Sequence, residues 1–276
     1  MDDSTPLPNV RDGIEYWNTQ PASLDGVLGG FGSGSLPRLD SLGSRQFLLN
    51  IYPDLSTVSS SLRPLAPQIP QRTRALDVGA GIGRVTGDVL LHLVSDVVLL
   101  EPVDSFVQEA LAKAIASINP STQFPWKGIA DRTHSVTILQ GTLQDFDPMK
   151  PHRAKFLDRV GYQLPQPSYE IDMGFDIIWC QWCLGHLSDL DLVAFLRRSH
   201  TALRDGKSLI MVKENLCQDL DDGIACTLFD EQDSSLTRSD KAWKTLFDQA
   251  GLRLVREQVQ HGLPEGLYVV KMYALR

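Results

Sequence analysis

Three groups of residues in the 276-residue chain could do chemistry. The first is Leu76-Asp77-Val78-Gly79-Ala80-Gly81-Ile82-Gly83-Arg84, with a second carboxylate at Glu101. Glycines between a strand and a helix let the backbone approach a ligand closely, and the helix start offers unpaired N–H groups and a positive dipole end. A dinucleotide fingerprint would place its third glycine at position 84, which is Arg; the spacing here is G-x-G-x-G. A nucleotide site or a plain tight turn would use the same glycines, so the loop alone leaves the ligand open. The second group is Cys180-Gln-Trp-Cys183, with redox or zinc spacing. Cys217 and Cys226 are too far apart to supply a second zinc knuckle, and the pair ends an apolar run, so we read buried small side chains and expect no metal. The third is an acidic stretch. From Val212 to Asp240 there are eight acids (Glu214, Asp219, Asp221, Asp222, Asp230, Glu231, Asp233, Asp240) against Lys213 and Arg238, a local net of −6 within a total of −8. Most such runs are solvated loop; a cationic ligand would give this one a use.

The surrounding pattern says what positions these groups. The runs RALDV, DVVLLEP, SVTILQG, FDIIWCQW and KSLIMVKEN alternate with amphipathic stretches such as 106–118 and 190–203. Unbroken apolar runs alternating with helices indicate an α/β domain with a parallel sheet covered on both faces. LRLVREQVQ and LYVVKMYALR follow each other across a short turn and predict an antiparallel hairpin at the sheet edge. Residues 1–11 read as a flexible N-terminus, 12–73 as a helical extension and linker, and 74–276 as the main domain with a surface insertion at 146–173. Gly29-Gly30-Phe31-Gly32 reads as a hinge that would let the extension close as a lid.

Composition narrows the field. With 42% hydrophobic and 22% charged residues, the chain can bury a sizeable core. The net charge of −8 disfavours nucleic acid and anionic lipid as partners. The longest apolar stretch is broken by His92, Ser95, Asp96 and Glu101, so no membrane span is expected, and MDDSTPLPNV lacks the marks of a secretory leader. A cytoplasmic and nuclear monomer is the expectation.

Taken together, the Gly79–Gly83 loop, Asp77 and Glu101 resemble the first motif of class I S-adenosylmethionine-dependent methyltransferases. Gln181-Trp182-Cys183-Leu184-Gly185-His186-Leu187-Ser188-Asp189, Val212-Lys213-Glu214-Asn215, Asp233-Ser234-Ser235-Leu236-Thr237-Arg238, Tyr16-Trp17 and Leu24-Asp25-Gly26-Val27-Leu28-Gly29-Gly30 closely resemble the protein α-N-terminal methyltransferases. The resemblance implies a Rossmann-like fold: a seven-stranded, mostly parallel sheet with an antiparallel C-terminal edge hairpin. It implies methyl transfer from S-adenosylmethionine, leaving S-adenosylhomocysteine, to the α-amine of proteins that begin Xaa-Pro-Lys or Xaa-Pro-Arg once the initiator methionine is gone, such as ribosomal proteins. Carried over by position, Trp17, Gly79, Gly81, Arg84, Glu101, Leu143, Gln144 and Gln181 would surround the cofactor. Leu28 and Trp182 would pack the substrate proline, and Glu214 and Ser235 would line the peptide site. Asp230 and Asp233 would receive the third-position cation, and His186, Asn215 and Asp233 would meet the terminal amine.

The chemistry suits these types. An amine must lose its proton before its lone pair can attack, and the α-amine has a pKa of about 7.7–8.0. Asp233 or His186 could take that proton; His186 is expected to accept it and Asp233 to orient the nitrogen. A small-molecule methyltransferase would need the glycine loop and Glu101 without the Asp230/Asp233 pair, and an inactive binding protein would keep the fold and lose cofactor affinity.

Overall fold

A computed structural model of the chain describes residues 6–58, 72–163 and 174–276. Its strands are β1 Arg74–Val78, β2 Asp96–Glu101, β3 Ser135–Gln140, β4 Lys155–Gly161, β5 Ile177–Gln181, β6 Leu209–Cys217, β7 Thr227–Asp230, β8 Ser235–Ser239, β9 Leu254–Val259 and β10 Val269–Leu275. One sheet runs in the order β4-β3-β2-β1-β5-β6-β10-β9, with β8 beside the end of β6 and β7 beside β8. β3, β2, β1, β5 and β6 are mutually parallel, and β1, β2 and β5 are buried along their whole length, as unbroken apolar runs require. β9 and β10 form the expected antiparallel edge.

The sheet therefore contains the seven expected strands and three more. β4 comes from the segment read as a surface insertion: it pairs antiparallel with β3, with a register shift at Ile138/Leu139. Residues 164–173 of that insertion lie outside the described residues, as do 59–71 of the linker and 1–5 of the N-terminus. β7 and β8 form a hairpin inside the acidic stretch, which ordinary loop composition had concealed.

Helices α1 Val10–Thr19, α2 Leu24–Val27, α3 Leu36–Ile51, α4 Arg84–Asp88, α5 Asp104–Ala116, α6 Asp189–Thr201 and α7 Asp240–Gln249 complete the fold. α1 starts inside the segment expected to be flexible because Asn9 caps it, accepting from the N–H groups of Arg11 and Asp12 at 2.9 and 3.3 Å. α3 and α5 cover one face of the sheet, where Phe47, Leu48, Val107 and Ala110 are fully buried. α6 and α7 cover the other with Leu192, Phe195, Trp243 and Phe247. α3 is thus part of the core, and at ~1.5–3 kcal/mol per large apolar side chain its Phe47 and Leu48 help fix it there. Only α1 and α2 can act as a cover. The Gly29–Gly32 segment, read as a hinge, is a hydrogen-bonded turn: Gly30 N–H donates to Asp25 O and Gly32 N–H to Asp25 Oδ1, both at 2.8 Å.

Candidate active site

Two cavities lie at the C-terminal ends of the parallel strands, and Trp17, Val27, Trp182 and His186 line both. The first is walled by the β1–α4 loop, the end of β2, residues 142–144 and the end of β5. All eight residues assigned to the cofactor face it. Gly79 and Gly81 have φ of +59° and +55°, and a Cβ on Gly79 would lie 2.3 Å from the Cys183 Cβ, so this glycine serves packing as well as backbone conformation. Glu101 is 4% exposed; its two oxygens accept the N–H groups of Gly81 and Val103 at 2.7 and 2.9 Å. Burial pushes its carboxyl up to about 7.

At the other end of this cavity the Arg84 guanidinium is paired with Asp40 of α3, Nη1 to Oδ2 at 2.5 Å, and stands 5.4 Å from the Trp182 ring centroid. Gln181 also reaches Asp40, at 2.9 and 3.0 Å, while its own oxygen accepts from the Trp179 indole at 3.1 Å. Asp40 is not among the residues selected from sequence, where it reads as the polar face of a helix. Val103, Phe106 and Leu143 of the same cavity supply an apolar wall that a base or other flat group could occupy, and Gln144 braces the His186 turn by donating to His186 O at 3.0 Å. A carboxyl group, a guanidinium and an apolar wall in one cavity fit an adenosyl amino acid, whose hydroxyls donate and whose carboxylate accepts.

The second cavity is lined by Leu28, Leu36, Trp182, Glu214, Asn215, Asp233, Ser235 and Leu236, by Gly266, Leu267 and Tyr268 of the β9–β10 connection and by Val270 of β10, the last four of which sequence reasoning did not select. Trp182 sits at positive φ (54°) and donates its backbone N–H to Lys213 O at 3.1 Å, which turns its ring into the wall between the cavities. Three buried polar atoms here have no hydrogen-bond partner: Trp182 Nε1, His186 Nδ1 and Asp233 Oδ1. Such atoms are costly unless a ligand or water completes them.

His186 needs a correction. The indole N–H of Trp17 donates to its Nε2 at 3.0 Å, so that lone pair is engaged and the neutral ring carries its proton on Nδ1. Burial lowers its pKa, with Asp233 and the Ser234 backbone opposing. In this arrangement His186 has no lone pair to offer the amine, contrary to the expected division of labour. Glu214 is also committed inward, its Oε1 accepting from the N–H groups of Cys183 and Leu184, both at 3.0 Å, and burial pushes it up to about 7. Asp230 is exposed, accepts from Gln232 N–H at 2.8 Å and does not line the cavity; it stands at the rim, close enough that it and Asp233 help burial to raise the Tyr16 pKa.

The acidic stretch sorts itself by burial. Lys213 and Arg238 are both buried; Arg238 donates to Asp189 Oδ1 and to Leu184 and Leu187 O, and so holds the His186 turn from behind. Asp240 is neutralised by Lys244 and Lys271. The acids left at the surface are Asp219, Asp221, Asp222, Asp230 and Glu231, with Asp233 half-buried in the cavity. The four cysteines are free thiols; burial raises Cys180 and Cys183 well above the ordinary thiol range, and among the described residues no cluster could hold a metal ion.

Residues 8–276 match the family described as AdoMet-dependent proline di-methyltransferase. The chain is 37% identical over 264 residues to alpha N-terminal protein methyltransferase 1 of Schizosaccharomyces pombe, covering 96% of this chain and 94% of that protein. It is 30% identical over 262 residues to N-terminal Xaa-Pro-Lys N-methyltransferase 1 of Xenopus tropicalis, covering 95% and 92%. Among solved structures, a SAM-dependent methyltransferase from Leishmania major superimposes with a TM-score of 0.67 at 31% identity, covering 96% of this chain and 82% of that one.

Proposed function

From its membership of the AdoMet-dependent proline di-methyltransferase family, to which this chain belongs, we propose that the protein methylates the α-amine of polypeptides beginning Xaa-Pro-Lys or Xaa-Pro-Arg, ribosomal proteins among them. It is an S-adenosylmethionine-dependent protein N-terminal methyltransferase. The observation that carries the reading is the meeting of the two cavities at Trp17, Trp182 and His186, with the unpartnered Asp233 Oδ1 beside the junction.

When bound, the cofactor would supply a methyl carbon that a nitrogen lone pair attacks in line, the bond to sulfur breaking as S-adenosylhomocysteine leaves. The rest falls to the protein. Glu101 would receive the ribose hydroxyls and Arg84 the carboxylate of the cofactor. Asp233 accepts a proton from the incoming ammonium through Oδ1, which has no other partner, and then holds the nitrogen in line. The cavity counteracts the stabilising pull of Asp233 on the ammonium, because desolvation favours the neutral amine. His186 presents Nδ1–H, a donor suited to a carbonyl of the peptide backbone, and Trp17 fixes that tautomer. Leu28 and Trp182 grip the proline ring, which brings no N–H into the pocket. The exposed acids at the rim attract the third-position cation.

Incubation with S-adenosylmethionine and Ser-Pro-Lys peptides, read by mass spectrometry, should show one methyl increment per transfer on the free amine and none on the N-acetylated peptide. Modification of the acetylated peptide, or of small amines alone, would overturn the assignment. The same proposal has the protein acting as a monomer in cytoplasm and nucleus; no helix among the described residues is long and apolar enough to cross a membrane.

A further inference from the structure

Three charged side chains from three elements meet beneath the cofactor cavity. Asp40 of α3 is fully buried, the Lys213 side chain of β6 is 1% exposed and that of Arg84, at the start of α4, is 6% exposed. Lys213 Nζ lies 2.5 Å from Asp40 Oδ1 and donates to Ser44 Oγ and Gln260 Oε1, both at 3.0 Å. Asp40 O is a further acceptor at 3.3 Å, so acceptors surround the Nζ; burial lowers the Lys213 pKa and Asp40 opposes that shift. Burial acts to raise the Asp40 pKa, but Arg84 and Lys213 outweigh it and hold the carboxyl below its usual range.

The cluster thus holds two cations and one anion, and only one of the cations faces the cavity. Arg84 lines it; Lys213 and Asp40 do not. Asp77 lines the same cavity; burial pushes its carboxyl up to about 7 against Thr86, whose Oγ1 donates to it at 2.6 Å, and against Arg84, so it offsets the guanidinium charge only in part. A buried pair of Arg84 and Asp40 alone would be neutral and would have little attraction for an anion. A buried charge left over is costly unless a ligand neutralises it.

We propose that Lys213 is a positioning residue for cofactor binding that acts through Arg84: by neutralising Asp40 from outside the cavity, it leaves the guanidinium charge uncancelled and available to the cofactor's carboxylate. The proposal rests on the cofactor assignment and adds to it a residue that never touches the cofactor.

The test compares two ligands by calorimetry: S-adenosylhomocysteine, which carries the carboxylate, and 5′-deoxy-5′-methylthioadenosine, which lacks the amino-acid end. Lys213→Met should raise the Kd for S-adenosylhomocysteine about tenfold or more and leave that for methylthioadenosine within about twofold. The double variant Asp40→Asn/Lys213→Met restores a single uncancelled cation and should bring the S-adenosylhomocysteine Kd back to within about threefold of the unsubstituted protein. A role confined to packing predicts equal losses for both ligands and no rescue, and either result would overturn the proposal. Lys213→Gln removes the same charge while keeping hydrogen-bonding capacity, and decides the matter if the Met variant does not fold. Should the unsubstituted protein bind neither ligand, the cofactor assignment itself falls and the proposal with it; binding of both, indifferent to residue 213, rejects the proposal alone.

Discussion

In the cofactor cavity the polar side chains already have partners within the protein: Glu101 takes two backbone N–H groups, and Arg84 and Gln181 are tied to Asp40. In the neighbouring cavity Trp182 Nε1, His186 Nδ1 and Asp233 Oδ1 are buried with none. The first is a preformed cradle whose geometry is set before its ligand arrives. The second has donors and an acceptor in place and waits for a peptide to satisfy them. A cofactor is the same molecule in every turnover, which rewards rigidity, whereas substrates differ after their first residues, which rewards a few fixed polar contacts in an otherwise apolar pocket.

The sharpest way to break this contrast is Asp233→Asn. It should lower kcat/KM by a factor of ~10²–10⁴, the usual contribution of a positioned base, and leave cofactor Kd unchanged. Comparable damage to cofactor binding would show that the two cavities are not separate in function. Next in size is Glu101→Ala, which strands the N–H groups of Gly81 and Val103; cofactor KM should rise about tenfold to hundredfold, with kcat at saturating cofactor much less affected. An equal rise in peptide KM would contradict the division. Trp182 belongs to both walls, so loss of its ring should weaken both ligands. Trp182→Phe isolates the indole N–H, and we expect peptide affinity to fall about three- to tenfold with cofactor affinity retained, measurable by titration of each ligand separately.

The smallest expected effect concerns Glu214. Its folded pKa of about 7 lies above the ordinary unfolded value near 4.3, so the folded state holds the extra proton and loses stability as pH rises between the two. Glu214→Gln keeps an acceptor for the Cys183 and Leu184 N–H groups and has no charge to bury. Its melting temperature relative to the unsubstituted protein should therefore improve by a few degrees at pH 8 compared with pH 5. An equal difference at both pH values would show that Glu214 is not a buried titrating acid.

Most of the sheet could be read from the chain because a buried parallel strand must be apolar throughout, and β1, β2, β3, β5 and β6 coincide with the apolar runs. β4 and β7 could not, since Lys155, Asp158, Arg159 and Asp230 are tolerated at exposed edges where one face meets water. The residues around the cofactor were legible for a similar local reason: glycines at positive φ followed by a helix leave a fixed sequence trace. What escaped was long-range pairing of buried charge. Lys213 and Arg238 look like solvated bases in an acidic run, and Asp40 looks like the polar face of a helix; only the fold reveals that each is buried against a partner, Asp40 173 positions from Lys213. The Trp17–His186 hydrogen bond, spanning 169 positions, reversed the expected proton acceptor for the same reason.

Helix α1 lies across the reacting centre. Its Gly13 is buried, and a Cβ there would stand 3.2 Å from His186 Nδ1 and 3.3 Å from Asp233 O; Asn9 N–H ties the start of the helix to Ser234 Oγ at 2.8 Å. A side chain at position 13 would press on both groups, so glycine is what lets the helix lie this close to them. Each polypeptide has a single amino terminus, so a centre that takes that amine alone marks every substrate molecule at one place, and the count of modified sites equals the count of chains.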